Sequence, residues 1–279
     1  MPFVAVSVLL ETHWWAENDP PFAIWTIGLS VLLGLAAWYA GSATPGAAAA
    51  GTAITASLMY STAIVPYQPW RTALVPVVAV LVLTAAATRL GRARKERQGT
   101  AERRRGRAAS QVAANLGIAA LAANQLVQSF LTDAHWLRHP LPTPMPLFAL
   151  ALAALAEAAA DTVSSELGQV LGGRPRMLTT LRQADPGTDG AVSLIGTLAG
   201  VAAAVIVAAA GAWALHGGGV MMAVATAGGV FGLFFDSLLG ATLERRGWLN
   251  NNMVNFLSTA GAAAFALALM MIVPAARTL

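Results

Sequence analysis

The sequence predicts an all-α fold, a polytopic transmembrane helical bundle of about eight spans forming a single membrane domain over residues 1–279. Three observations predict it. Hydrophobic residues make up 57% of the chain and charged residues only 11%, and the mean hydropathy of +0.62 lies outside the range of ordinary soluble domains. Eight apolar runs approach the ~20 helical residues that cross a bilayer core. When those runs are threaded alternately through a membrane, the 17 Lys and Arg residues collect on one side, leaving only Arg71, Arg138 and Arg277 opposite.

The runs fall at 22–41, 46–65, 71–90, 109–131, 146–168, 191–215, 219–242 and 253–274. The stretch before them, Pro2 to Leu10, is short, has no basic leader and runs into the polar patch His13 to Asp19. It reads as an interfacial or partly buried lead-in and not as a cleavable signal. Thr44 followed by Pro45 reads as an N-cap with proline at the first helical position, and Pro66-Tyr67-Gln68-Pro69 as a tight turn. Nine of the basic residues lie between Arg89 and Arg107. That segment, 91–107 in particular, is expected to be a solvated, possibly helical, cytoplasmic loop that fixes topology and meets anionic lipid headgroups. The calculated pI near 10.3 therefore reflects topology, and no nucleic-acid partner is expected. Pro140, Pro142, Pro144 and Pro146 mark an extended connector, and His216 to Gly219 separates the sixth and seventh runs. The charge pattern puts the N-terminus outside and the basic loops in the cytoplasm, as in a bacterial inner membrane. Most of the eight tryptophans, Trp14, Trp15, Trp25, Trp70, Trp136 and Trp248 among them, fall near span ends as interfacial anchors. No strand-period pattern is present, and the absence of cysteine excludes disulfides, thiolate metal sites and cysteine nucleophiles.

The stretch Glu157 to Gly168, EAAADTVSSELG, sets acids inside an apolar run. Ionised groups at that depth are costly, so they point to function; the alternative is polar glue between helices. Glu157, Asp161 and Ser165 recur every four residues and share a face, while Glu166 lies about 140° round from Asp161. Asp236, Gly240 and Glu244 repeat that spacing, with Gly228 and Gly232 equally suited to close helix packing. Gln111, Asn115 and Gln125 advance as one stripe, lining either a hydrated groove or another helix. Asn250, Asn251, Asn252 and Asn255, with Ser258 or Thr259, cap a helix or hold phosphate, sugar or base edges. Gly187-Thr188-Asp189-Gly190 is a turn before a helix, suited to an anion through free N–H groups, although Thr188 or Asp189 also serves as a plain N-cap. All of this sits at the cytoplasmic ends of the spans. Acids with basic and amide partners are the equipment of magnesium-assisted phosphoryl transfer, because Mg²⁺ needs only one or two carboxylates beside phosphate oxygens and arginines and amides neutralise the transferred group. Opening on an apolar bundle, such a site suits a lipid acceptor whose head lies at the interface.

Competing constellations are weaker. His135 and His139 lie four apart in the proline-rich connector, with no third metal ligand, and there is no GxxxxGK[ST] or soluble-kinase motif set. A cation or proton path through the acids is the transport alternative.

Several motifs, in order, resemble the integral-membrane family of the plant phytyl-phosphate kinase. They are Gly41-Ser42-Ala43-Thr44-Pro45-Gly46, the run Gly106 to Asn115 (GRAASQVAAN), Ala160 to Gly168 (ADTVSSELG) and Leu178-Thr179-Thr180. They continue with Gly187 to Ser193 (GTDGAVS), Asp236 to Leu243 (DSLLGATL) and Asn252-Met253-Val254-Asn255. The likeness runs from about residue 28 to 274. It departs at Val163, where a bulkier residue, often Trp, is usual, at Ala191 in place of Gly, and at Glu244 in place of Gln. The resemblance implies a membrane kinase that converts an isoprenoid monophosphate to the diphosphate with CTP or another nucleoside triphosphate.

Combining the two readings, Asp161 and Asp236 are expected to hold Mg²⁺, assisted by Glu166. Arg107, Arg182 and the turn Gly187, Thr188, Asp189 and Gly190, with Ser193, are expected to bind phosphates. Asn115, Asn252 and Asn255 orient those phosphates or the nucleotide. The partners expected are the prenyl phosphate lipid, the nucleotide and membrane lipids. The alternatives are a transporter or flippase for a phosphorylated isoprenoid or small anion, and a membrane scaffold whose basic loop recruits partners.

Overall fold

The computed structural model describes residues 1–99, 106–132 and 144–272. The described residues are all-α apart from one two-residue strand pair. The helices are α1 (Pro2–Asn18), α2 (Pro20–Tyr39), α3 (Pro45–Ser61), α4 (Leu74–Arg89), α5 (Arg92–Gln98), α6 (Ala109–Ala123), α7 (Gln125–Thr132), α8 (Pro144–Leu171), α9 (Leu194–Ala214), α10 (Gly218–Leu239) and α11 (Asn251–Ile272). Between α8 and α9, β1 (Arg176–Met177) pairs antiparallel with β2 (Ala191–Val192). Among the described residues, five helices are long and apolar enough to cross a membrane: α2, α8, α9, α10 and α11. Helices α4 and α6 are apolar but shorter, and α3 has 17 residues. His135, Trp136, Arg138, His139, Pro140, Pro142 and Arg277, and the centre of the basic loop, lie outside the described residues.

Helix α8 is the axis. It packs against α4, α6, α9, α10 and α11, and 89% of its most apolar window is buried, against 39% for each of α9, α10 and α11. Its sequence explains this. LALAALAEAAA is apolar all round, as a surrounded helix must be, and it is alanine-rich, which lets neighbouring backbones approach. Glycines on the partners complete the fit: a Cβ at Gly229 of α10 would lie 2.8 Å from Cβ of Ala156, and one at Gly200 of α9 would lie 2.8 Å from the Ala160 carbonyl. The peripheral faces instead carry exposed Ile24, Trp25, Leu32, Leu198, Ile206, Phe234 and Phe256, which acyl chains solvate without penalty.

Local chemistry sets the ends. Thr44 accepts from the Ala47 amide with Pro45 at the first helical position, as the sequence indicates. The glycine turn differs from expectation. It leads into β2, and the cap of α9 is Ser193, whose hydroxyl accepts from the Gly196 amide. The run 109–131 also differs, because it is broken at Asn124, whose backbone is extended. The Asn124 side chain accepts from the Leu126 amide and donates to Ser7, and the Gln128 amide donates to the carbonyls of Ala122 and Ala123. The polar side chains thus satisfy the opened turn. Gln125 falls beyond the break, on the exposed side of α7 and off the Gln111–Asn115 stripe.

The close approach of α10 to α8 is testable. Gly229→Ala is expected to cost about 1–3 kcal/mol through overpacking and to lower the apparent Tm of the protein in detergent. Gly219→Ala, with nothing within 4 Å of its added Cβ, should leave Tm unchanged or raise it. Equal behaviour of the two variants would refute this packing account.

A candidate active site at one end of the bundle

The polar groups that the sequence distributes over six segments meet at one end. The loop before α3 clamps the entry to α6: the Arg107 amide donates to the Ser42 carbonyl and the Thr44 amide to the Arg107 carbonyl, each at 3.0 Å. Gly106 has φ +73°, and a Cβ there would lie 2.6 Å from the Ala43 nitrogen. Glycine is therefore required where the two loops touch. This clamp aims the half-buried Arg107 at α8, where its guanidinium donates to the Thr162 hydroxyl at 3.3 Å and faces the charge of Asp161.

Asp161 on α8 and Asp236 on α10 are close neighbours, each within the other's electrostatic field. Asp236 also experiences the charges of Glu157 and Glu244. Its Oδ2 is buried without a hydrogen-bond partner, as are both carboxylate oxygens of Glu157, which is 1% exposed. Gly232 makes room for Glu157, since a Cβ there would lie 2.4 Å from its Cγ. Helix α11 closes the chamber with Ser258 beside both Glu157 and Asp236, its hydroxyl donating to the Asn255 carbonyl. Asn255 donates to Asn115 of α6 at 2.8 Å and Asn252 donates to Ser110 at 3.1 Å. These amides join α11 to α6 while presenting polar edges on one side of the chamber.

The remaining expected residues are less central. The turn Gly187 to Gly190 packs on the single π-helical turn Gly240–Glu244 that ends α10: Gly190 (φ +73°) would place a Cβ 2.2 Å from the Ala241 nitrogen. Asp189 is exposed and interacts with Glu244. The Thr188 hydroxyl donates to the Asp185 carbonyl within the loop, and Arg182 stays exposed on the β1–β2 connection. Glu166 is drawn aside, accepting from the Thr88 hydroxyl and pairing with Lys95. Lys95 is 1% exposed and also donates to the carbonyls of Ala87 and Thr88. The basic segment is thus helical over α5 but not uniformly solvated. A charge run gives no sign of which member is buried; only the acid at the end of α8 hinted at a partner. Asn250 accepts from the Met253 amide, a plain helix cap.

Among the described residues, no group of three or more His, Asp or Glu side chains is arranged to hold a metal ion. The opposed pair Asp161 and Asp236, with a buried carboxylate oxygen lacking a partner, nevertheless matches what Mg²⁺ takes from proteins: one or two carboxylates, the remaining positions going to water and phosphate.

Fold and site together define an integral membrane protein with a cluster of acids, flanked by arginine and asparagine, at one end of its helix bundle. The chain belongs to the integral membrane protein family DUF92, whose profile matches residues 28–263. It is 44% identical over 108 residues to the uncharacterized membrane protein MJ0933 of Methanocaldococcus jannaschii, covering 39% of this chain and 45% of that one. It is 34% identical over 202 residues to the uncharacterized membrane protein sll0875 of Synechocystis, covering 71% and 73%. It is 30% identical over 195 residues to the chloroplastic protein VTE6 of Arabidopsis thaliana, covering 65% and 54%. The matched stretch spans about half the length of the first and third of these relatives. No solved structure matches. The membership anticipated from the motifs therefore stands.

The Lys95–Glu166 pair is expected to hold α5 and the end of α4 to α8. Removing one member of a buried pair strands the other, so Lys95→Met should destabilise by about 3–5 kcal/mol. Lys95→Met with Glu166→Leu should recover much of that loss. Strictly additive effects across the double-mutant cycle, read by thermal unfolding in detergent, would show that the pair is not coupled.

Proposed function

We propose that the protein is a prenyl-phosphate kinase, transferring the γ-phosphoryl group of CTP or another nucleoside triphosphate to an isoprenoid monophosphate at the cytoplasmic face of the membrane. The observation that carries this reading is the opposed pair Asp161 and Asp236 beside the Arg107 guanidinium, inside an otherwise apolar bundle. Membership in the family that the motifs indicate, and the likeness to the plant chloroplast protein, support it. With α3, α4 and α6 crossing as short spans inside the bundle, the span count is eight, the N-terminus is outside and the chamber faces the cytoplasm.

In this mechanism an oxygen of the acceptor's phosphate attacks the γ-phosphorus, the bond to the β-phosphate oxygen breaks, and a nucleoside diphosphate leaves. The acceptor is already ionised, so the protein needs no strong general base, and positioning with charge neutralisation supplies the rate. Asp161 and Asp236 would hold Mg²⁺, which when bound offsets charge on the transferred phosphates. Arg107, fixed by the Ser42–Thr44 clamp, neutralises the acceptor phosphate. Asn115 and Asn255, locked to each other, orient phosphate or nucleotide, with Asn252 beside them. The turn Gly187 to Gly190, with Ser193 and Arg182 on the same hairpin, lies where nucleotide phosphates would approach. Glu166, committed to Lys95, serves to anchor α5 more than to bind metal.

Purified protein incubated with radiolabelled CTP and prenyl monophosphates is expected to form diphosphate with Mg²⁺ and none with EDTA. Asp161→Asn and Asp236→Asn should each lower kcat by about 10²–10³-fold or more. No product with any acceptor or nucleotide, together with counterflow of the prenyl phosphate in liposomes, would overturn the kinase in favour of a transporter.

A further inference from the structure

A second feature adjoins the chamber. Helices α2, α3, α4 and α6 line a partly open cleft with a cavity volume of about 130 Å³. Its walls are apolar and narrow-sided, with Gly34 on α2, Ala48 and Gly51 on α3, and Val80 and Leu81 on α4. Its charged side chains gather at one end, where Arg89, Arg92 and Arg107 line the mouth, each already oriented: Arg89 donates to the Ala40 carbonyl, Arg92 pairs with Glu96, and Arg107 donates to Thr162. Along α4 the lining extends from Arg89 back to Val77, twelve residues or ~18 Å at 1.5 Å per residue. It goes no further, so the cleft has a finite depth.

Two residues belong to both features. Arg107 and Asn115 line the cleft and also flank the carboxylates, and Ala158, one turn before Thr162 on α8, lines its inner wall. An anionic group held by Arg107 would therefore have an apolar trough on one side and Asp161 with Asp236 on the other. That arrangement asks for an amphiphile with one phosphate and one apolar tail. The small side chains on α2 and α3 give width for a branched chain, and the finite depth gives a limit to its length.

We infer that this cleft holds the isoprenoid tail of the acceptor, with its phosphate against Arg107, and that the lining around Gly51 and Leu81 sets the longest chain admitted. The inference rests on the prenyl-phosphate reading above. Gly51 is the informative position, because the nearest atom to an added Cβ is Cγ1 of Val112 at 3.9 Å. A side chain there starts from a Cβ that meets no backbone within 4 Å. Leu81→Ala lengthens the same space.

Photoreactive farnesyl monophosphate bound to the full-length protein, without nucleotide, is expected to crosslink to the α2–α4 lining. In competition, Gly51→Leu should weaken geranylgeranyl relative to geranyl monophosphate by about tenfold or more, the discrimination typical of a methylene-sized clash in an apolar pocket, and Leu81→Ala should shift preference the other way. Crosslinks confined to the outer faces of α9 and α10, an unmoved length profile in both variants, or equal competition by phosphatidic acid would each overturn the inference. The two readings fail separately. Crosslinking in the cleft with no diphosphate from any nucleotide removes the kinase and keeps the cleft, and diphosphate formation with an unmoved length profile does the reverse. If Gly51→Leu does not fold, the wild-type crosslink map and Leu81→Ala decide.

Discussion

The structure depends on α8 being approachable from every side. A helix can carry Glu157 and Asp161 into the centre of an apolar bundle only if its neighbours come close enough to exclude lipid and supply polar company. Alanine along α8 and glycine on α9 and α10 permit that approach. The cost is that Glu157 is confined against Gly232 with neither carboxylate oxygen hydrogen-bonded. A site made only to stabilise the fold would place an apolar residue there, because a buried polar group without partners is destabilising by about 1–3 kcal/mol. Fold stability alone therefore does not account for Glu157.

Charge in the chamber is handled in two ways, and the difference separates scaffold from chemistry. Lys95 gives its donors to Glu166 and to the carbonyls of Ala87 and Thr88, an internally complete cluster that fastens the basic segment to the bundle. Around Asp161 and Asp236 the acids outnumber the guanidinium that faces them. Like charges at short range raise the demand for a cation or for hydrogen-bond donors from a ligand. The first cluster is finished by the protein, whereas the second calls for a partner from outside.

How much of this was legible in the sequence follows from the range of each interaction. Short-range signals were legible: the Thr44 cap, the four-residue spacing of Glu157 and Asp161, and the asparagines of α11 all act within a turn or two of helix. Asp161 and Asp236 were readable as a pair because each is an acid in an apolar run on the same side. The burial of Lys95 was not, because eight other basic residues between Arg89 and Arg107 look alike until one of the nine meets Glu166 across the bundle. Nor was the break at Asn124, where a polar residue in an apolar run reads as stripe until its side chain is seen capping the opened turn. The glycine turn was read as a helix start because Gly-Thr-Asp-Gly is good turn chemistry, but two further residues pair with β1 before Ser193 caps α9.

The loop Gly41 to Pro45 gains its meaning only in three dimensions. Its residues bear no ionisable group, yet they carry the bridge that fixes the main chain of Arg107. The same loop forms part of the rim of the apolar cleft. One short segment thus sets both the position of the cation and the edge of the trough beside it. That coupling follows from geometry: Gly106 can approach Ala43 because neither loop places a side chain between them, so the bridge fixes the main chain of Arg107 while Thr162 receives its guanidinium. Arg107 is therefore positioned by the fold itself, the condition under which a fixed charge stabilises a neighbouring anion most.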